Sequence, residues 1–152
     1  PLSPNAVRPA RGQIVELMTA LPPLRGMVWS DRAYLSPRDD GRVLVGSTLE
    51  FVGFEKLVTA SAVRDLLDAA IEMVPALGGA ELVRAWSAFR PYTPDELPLI
   101  GPTATRGLWL ATGHYRNGIL LSPITAEIVA ALVLGERAPF DPAPFAPIRG
   151  CS

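Results

Sequence analysis

Arg90 ends the apolar run Glu81 to Phe89 and is followed by Pro91, which fixes the backbone around it. A guanidinium held this way can grip a carboxylate through two parallel hydrogen bonds; the plain alternative is a surface arginine capping a strand. A second arginine, Arg116, lies in Leu108-Trp109-Leu110-Ala111-Thr112-Gly113-His114-Tyr115-Arg116-Asn117-Gly118-Ile119-Leu120-Leu121. There an apolar run breaks at Gly113, crosses polar and aromatic residues to Gly118, and opens a long apolar segment. The pattern predicts a buried strand, a tight turn and the N-terminus of a buried helix. A helix N-terminus presents unpaired N–H groups and partial positive charge, so this turn is built to face something electron-rich. Gly113 and Gly118 either let the backbone approach a planar group closely or are ordinary turn glycines. Arg116 either meets that group or satisfies loop carbonyls.

His114, the only histidine, invites a general-base reading but is better read as a support for the loop. Asp95 and Glu96 are neighbours in a loop, where adjacent side chains rarely converge, and are read as solvated turn residues. A single histidine and a single cysteine, Cys151, exclude disulfide frameworks and His- or Cys-rich metal sites. A net charge of −1 argues against nucleic acid as a partner. Hydrophobic residues make up 49% of the 152, enough for a domain with a real core. The most apolar stretch, Ile119 to Gly135, is too short and too interrupted for a transmembrane segment. No signal peptide is visible, which suits a cytoplasmic protein. The chain opens Pro1-Leu2-Ser3-Pro4 without a methionine, as expected of a fragment or a processed product.

The elements that must position these residues follow from periodicity. Residues 1–10 are read as an extended linker. Gln13 to Leu17, Met27 to Trp29, Ala33 to Ser36 and Arg42 to Leu49 are expected strands. Turns at Ser30-Asp31 and Arg38-Asp39-Asp40-Gly41 suggest an antiparallel meander. Val63, Leu66, Leu67, Ala70, Ile71 and Val74 share one helical face, with Thr59 or Ser61 as cap and Pro75 with Gly78-Gly79 as the stop. Glu81 to Phe89 is another strand, and Arg90 to Pro98 a proline-stiffened loop. The tail after Gly135 is expected to be irregular. Between Ile124 and Leu134 only Thr125 and Glu127 are polar, so this helix should be buried nearly all round. The sequence offers too few βαβ units to bury it; a partner sheet is expected to be missing.

Phe89-Arg90-Pro91-Tyr92-Thr93-Pro94-Asp95-Glu96-Leu97-Pro98-Leu99-Ile100-Gly101-Pro102, followed by Gly107 to Ala126, closely resembles the C-terminal region of glycine oxidases. These are thiamine-pathway members of the FAD-dependent D-amino-acid oxidase superfamily. Arg11-Gly12-Gln13 resembles the family's entry into its substrate domain. Ala33-Tyr34-Leu35-Ser36-Pro37-Arg38 and Val43-Leu44-Val45-Gly46-Ser47-Thr48 resemble its substrate-domain strands. The resemblance runs from about Arg11 to Gly135, and Glu96 departs from the small residue common at its turn. The family's Gly-x-Gly-x-x-Gly fingerprint is absent, since Gly78-Gly79 does not fit it.

The resemblance implies an α+β chain: most of a substrate domain with an antiparallel or mixed sheet and one main helix (11–89). To this it adds the terminal strand and helix of an FAD-binding α/β domain whose remainder is missing (90–135), and an irregular tail (136–152). It implies a C-terminal portion, inactive alone, of an oxidase converting glycine or a small D-amino acid to the imine. Oxygen would be the acceptor and hydrogen peroxide the product. Arg90, Arg116, Tyr34 and Leu49 would contact substrate; the alternatives are a half-buried strand tyrosine at position 34 and a plain core leucine at 49. Gly113, His114, Tyr115, Arg116, Asn117, Gly118 and Ile119 would meet FAD, with the N–H groups of Asn117 to Ile119 at the flavin's pyrimidine edge. No residue is assigned a catalytic role. The partners implied are a small amino-acid substrate, the missing N-terminal FAD-binding portion, and a second copy of the chain as an alternative cover. Rival readings are a sarcosine oxidase or D-amino-acid dehydrogenase relative, and a non-catalytic α+β carboxylate-binding module.

Overall fold

The computed structural model of the chain describes residues 2–3, 5–20 and 24–148, so Cys151 lies outside the described residues. Over the second half of strand β1 (Arg8–Met18), Val15 and Leu17 lie on one side and Ile14, Glu16 and Met18 on the other, with Glu16 buried as well. It begins inside the stretch read as a linker. Pro9 hid that start, because proline cannot donate to a ladder and argues against strand in sequence. The meander follows as β2 (Val28–Trp29), β3 (Tyr34–Pro37) and β4 (Arg42–Gly46). Ser30 closes the first turn: its N–H donates to the Ala33 carbonyl at 2.9 Å, and its hydroxyl accepts from the Ala33 N–H at 3.1 Å. β4 stops at Gly46, three residues before the expected end, and Leu49 lies beyond it.

Helix α1 (Ala60–Met73) is capped by Thr59, whose hydroxyl accepts from the Ala62 N–H. The Thr59 N–H itself donates to Gln13 Oε1 at 2.8 Å, tying the helix start to β1. Of the two candidate caps Ser61 is not used. Leu66 and Ala70 of the expected stripe are buried, joined by Ala62 and Ala69, while Val63, Leu67 and Val74 pack partly buried against the core and only Ile71 is exposed. Small alanines lie closest to the sheet, so the face is rotated toward them. Val74 is already extended and ends the helix, followed by a 3-10 turn at Pro75–Gly79. Replacing Thr59 by alanine removes the cap and should lower the stability of this unit by about 1 kcal/mol. Urea unfolding checks it, with Thr59→Ser, which keeps the hydroxyl, retaining most of the stability.

Strand β5 (Glu81–Tyr92) closes a sheet of order β2-β3-β4-β1-β5, whose β2–β3, β3–β4 and β4–β1 pairs are antiparallel. It runs through Arg90, Pro91 and Tyr92, where the sequence predicts a proline-stiffened loop. Val15, Leu17, Leu35, Val43 and Val45 face α1 and form the core with Leu66, Ala69 and Ala70. Tyr34, Ser36, Leu44, Gly46 and Ile14 therefore lie on the opposite face.

The chain divides into two compact units, Arg11–Phe89 and a second made of Pro1–Ala10 with Arg90–Ser152. In the second, β6 (Leu99–Pro102) pairs antiparallel with β7 (Trp109–Thr112), and β6 packs with α2 (Gly118–Leu134). No strand is predicted where β6 lies, and β7, predicted as a buried strand, is half-exposed and pairs antiparallel. In α2 the hydroxyl of Ser122 donates to the Ile119 carbonyl at 2.9 Å, the acceptor left unused because Pro123 has no N–H. Gly135 ends the helix with φ 72°, a conformation glycine adopts freely. Thr125, Ile128 and Ala131 are its buried stripe, whereas Ile119 is 93% exposed, Leu120 78% and Leu134 70%. The all-round burial expected of this helix is thus not supplied by the chain's own residues. The tail is not wholly irregular: it makes a 3-10 turn at Ala143–Phe145, and Pro147 is buried.

Candidate functional site

The turn between β7 and α2 is held by its own backbone. The Tyr115 N–H donates to the Pro91 carbonyl at 3.0 Å, and the Tyr92 and Tyr115 rings meet edge to face with centroids 5.2 Å apart. These contacts bring the Arg90-Pro91-Tyr92 strand end directly against the glycine-bounded turn. Two candidates far apart in sequence, Arg90 and the 113–119 segment, thereby share one locale. Arg90 is half-buried. Arg116 is exposed, its guanidinium 5.2 Å from the Tyr115 ring centroid. Tyr34 and Leu49 belong to the other unit, where Tyr34 is half-buried and Leu49 is 42% exposed rather than core.

The two glycines of the turn differ. Gly113 is buried at φ 80°, and a Cβ there would lie 2.7 Å from Thr93 Cγ2, so the chain's own packing demands glycine. The close approach expected at Gly113 is therefore made by Thr93. At Gly118 a Cβ would meet only His114 Cβ, at an ordinary 3.6 Å. Nothing among the described residues requires a bare backbone at Gly118. The Asn117 N–H is used internally, donating to the His114 carbonyl at 2.9 Å, and so is not available to a ligand. The first turn of α2 has no side-chain cap, which leaves the Gly118 and Ile119 N–H groups at the helix's positive end.

His114 braces this turn. Its Nε2 and Thr125 Oγ1 hydrogen bond at 3.0 Å, joining the turn to the buried side of α2. Burial disfavours the imidazolium and holds the His114 pKa below its ordinary 6.5. As pH falls below about 6.5, the unfolded chain takes up a proton that the folded chain resists, so stability declines. His114→Gln cannot titrate and should show a shallower loss in urea unfolding between about pH 7.5 and about pH 5.5. An identical loss in both proteins would remove His114 from the pH response.

Sequence reasoning missed Tyr92, Thr93 and Thr125 as parts of this locale. Thr125 left a trace, as one of two polar breaks in an apolar helix. Tyr92 and Thr93 left none, since proline-flanked residues read as loop. Asp95 remains a turn residue, its carboxylate accepting from the Leu97 N–H at 3.2 Å. Among the described residues no group of three or more His, Cys, Asp or Glu comes together to hold a metal. No helix among them is long and apolar enough to cross a membrane.

The family described as FAD dependent oxidoreductase matches residues 1–132. The chain belongs to this family. It is 43% identical over 142 residues to a glycine oxidase of Pseudomonas putida, an alignment covering 93% of this chain and 39% of that protein. It is 40% identical over 141 residues to the bifunctional protein ThiO/ThiG of Trichormus variabilis, covering 90% of this chain and 22% of that one. The crystal structure of glycine oxidase from Geobacillus kaustophilus superposes with a TM-score of 0.90 at 41% identity, over 95% of this chain and 40% of that one. The chain thus spans about 39% of the length of the curated glycine oxidase it matches. The family implies FAD. The bare backbone at Gly118 and the uncapped N–H groups beside it fit one edge of an electron-rich ring. The sequence holds no glycine fingerprint to cradle a pyrophosphate, so these residues fit part of the cofactor and not the whole.

Proposed function

We propose that this chain is the C-terminal part of a cytoplasmic flavoprotein that oxidises glycine or a small amino acid to its imine. In this reading 11–89 serves substrate binding, and 90–135 completes a flavin domain whose larger, N-terminal portion covers α2. The observation that carries the reading is the Tyr115–Pro91 hydrogen bond, which sets the turn with bare Gly118 against the arginine-bearing strand end. Bound FAD supplies the redox chemistry, a two-electron oxidation in which the amine's α-hydrogen leaves with its electron pair. The amine also loses a proton to become the imine, which water hydrolyses to the oxo acid and ammonia. Oxygen takes up the two electrons and two protons as hydrogen peroxide.

The residues of this chain bind and orient. Arg90 grips the substrate carboxylate, and Arg116 adds positive charge beside the same turn. Tyr34 contributes a phenol to the substrate, and Leu49 lines its apolar side. The Gly118 and Ile119 N–H groups would hold the flavin's pyrimidine edge and favour negative charge there. His114, with Thr125, keeps the turn in shape, and Tyr115 locks it to Pro91. No side chain here is needed to move the α-hydrogen.

The full-length gene product carrying this chain, purified with its flavin, tests the reading. Glycine should bleach the flavin absorbance without oxygen and consume oxygen with peroxide release in air, while the 152-residue chain alone should do neither. Flavin bleaching that turns over only with a quinone acceptor would move the enzyme to the dehydrogenases. A flavin-free protein that binds carboxylates would overturn the reading.

A further inference from the structure

One row of residues crosses the face of the five-stranded sheet that α1 does not cover. Trp29 of β2 pairs with Tyr34 of β3, Tyr34 pairs with Gly46 of β4, and Gly46 pairs with Ile14 of β1. Residues in register on adjacent strands project to the same face, so their side chains meet. The Trp29 and Tyr34 rings lie with centroids 5.2 Å apart and planes tilted by 38°. On the other side the ring of Tyr34 lies across Gly46. A Cβ at Gly46 would come within 2.6 Å of both Tyr34 Cζ and the Tyr34 hydroxyl, and within 3.0 Å of Cε1. The reactive end of the tyrosine thus occupies the space that any other residue at position 46 would fill.

We propose that Gly46 and Trp29 are positioning residues that fix the phenol of Tyr34 for substrate, Gly46 by vacancy beneath the ring and Trp29 as a stop on its outer side. The inference rests on the substrate contact proposed for Tyr34. Gly46 is buried at the last position of β4. The atoms a new Cβ would meet belong to the outer end of one side chain and not to backbone. Gly46→Ala is therefore relieved by swinging the ring, and the sheet need not open. Trp29 is largely exposed on a two-residue edge strand, so its own removal leaves the core cluster intact. A glycine and an exposed tryptophan with no contact to substrate thus set where the phenol oxygen sits, and through it the affinity for the substrate.

Steady-state kinetics on glycine with the full-length flavoenzyme tests this, using Tyr34→Phe, Gly46→Ala, Trp29→Ala and the Tyr34→Phe/Gly46→Ala double variant. Tyr34→Phe should raise KM about tenfold through loss of a hydrogen bond to a charged group. Gly46→Ala should raise KM by a similar factor, on the order of tenfold, with kcat changed little, because misplacing a contact costs about as much as deleting it. Trp29→Ala should raise KM a few-fold, on the order of threefold, by the same loosening. The decisive readout is coupling: in the Tyr34→Phe background Gly46→Ala should add little, since the hydroxyl it misplaces is gone. Urea unfolding of each variant gives a readout independent of turnover. If Tyr34→Phe leaves KM unchanged, the substrate reading of Tyr34 fails. If Tyr34→Phe acts but Gly46→Ala multiplies with it, or lowers kcat and stability together, the positioning role fails while the reading survives. Should Gly46→Ala not fold, Trp29→Ala alone decides, and an unchanged KM there overturns the stop.

Discussion

Arg90→Ala in the full-length flavoenzyme is expected to raise KM for glycine on the order of a hundredfold. A bidentate, charge-assisted contact to a carboxylate contributes roughly 2–4 kcal/mol, and alanine supplies neither the charge nor the fork. The effect should concentrate in KM, because the carboxylate is held in the ground state and the transition state alike. The visible flavin spectrum should persist: the hydrogen bond that joins strand end and turn uses the Pro91 carbonyl and the Tyr115 N–H, which the substitution does not touch. Arg90→Lys should fall between, since an ammonium keeps the charge and loses the two parallel bonds. An unchanged KM in Arg90→Ala would sink the assignment.

Arg90 also shows how far sequence carries. Its place before a proline was legible, but its element was not: β5 continues through Arg90, Pro91 and Tyr92, where proline-rich sequence argued for loop. A proline at a strand end forfeits one ladder bond, and Pro91 still contributes a carbonyl to the turn. β6 drew no strand prediction, since it is only four residues long and ends in Gly101-Pro102, although Leu99 and Ile100 are buried. The α1 cap was legible because Thr59 stands where the helical period starts. Its buried face was legible in Leu66 and Ala70, but the stripe took in the exposed Ile71 and left out Ala62 and Ala69, small residues that carry little hydrophobic signal. In the site, the two glycines announced a turn, yet sequence could not separate Gly113, which the chain needs for its own packing, from Gly118, which it does not. That distinction depends on Thr93 and His114 as spatial neighbours, and no local pattern encodes them.

The exposed side of α2 leads to the other large expected effect. Ile119, Leu120, Val133 and Leu134 are all exposed, on a helix whose only buried stripe is Thr125, Ile128 and Ala131. Each such side chain forgoes roughly 1.5–3 kcal/mol of burial when left in water. Contiguous apolar surface of that kind marks an interface. The 152-residue chain, expressed alone, should therefore self-associate in sedimentation velocity or lose protection over residues 107–134 in hydrogen exchange. Val133→Ser with Leu134→Ser should shift it toward monomer, since these two lie at the far end of α2 from the turn and removing them leaves the 113–118 contacts in place. In the full-length flavoenzyme the same pair should lower stability if, as proposed, the flavin portion covers this side of the helix. A monodisperse monomer of the 152-residue chain with 107–134 strongly protected would show that the chain buries α2 by itself, and the case for a covering flavin portion would then rest on the family match alone.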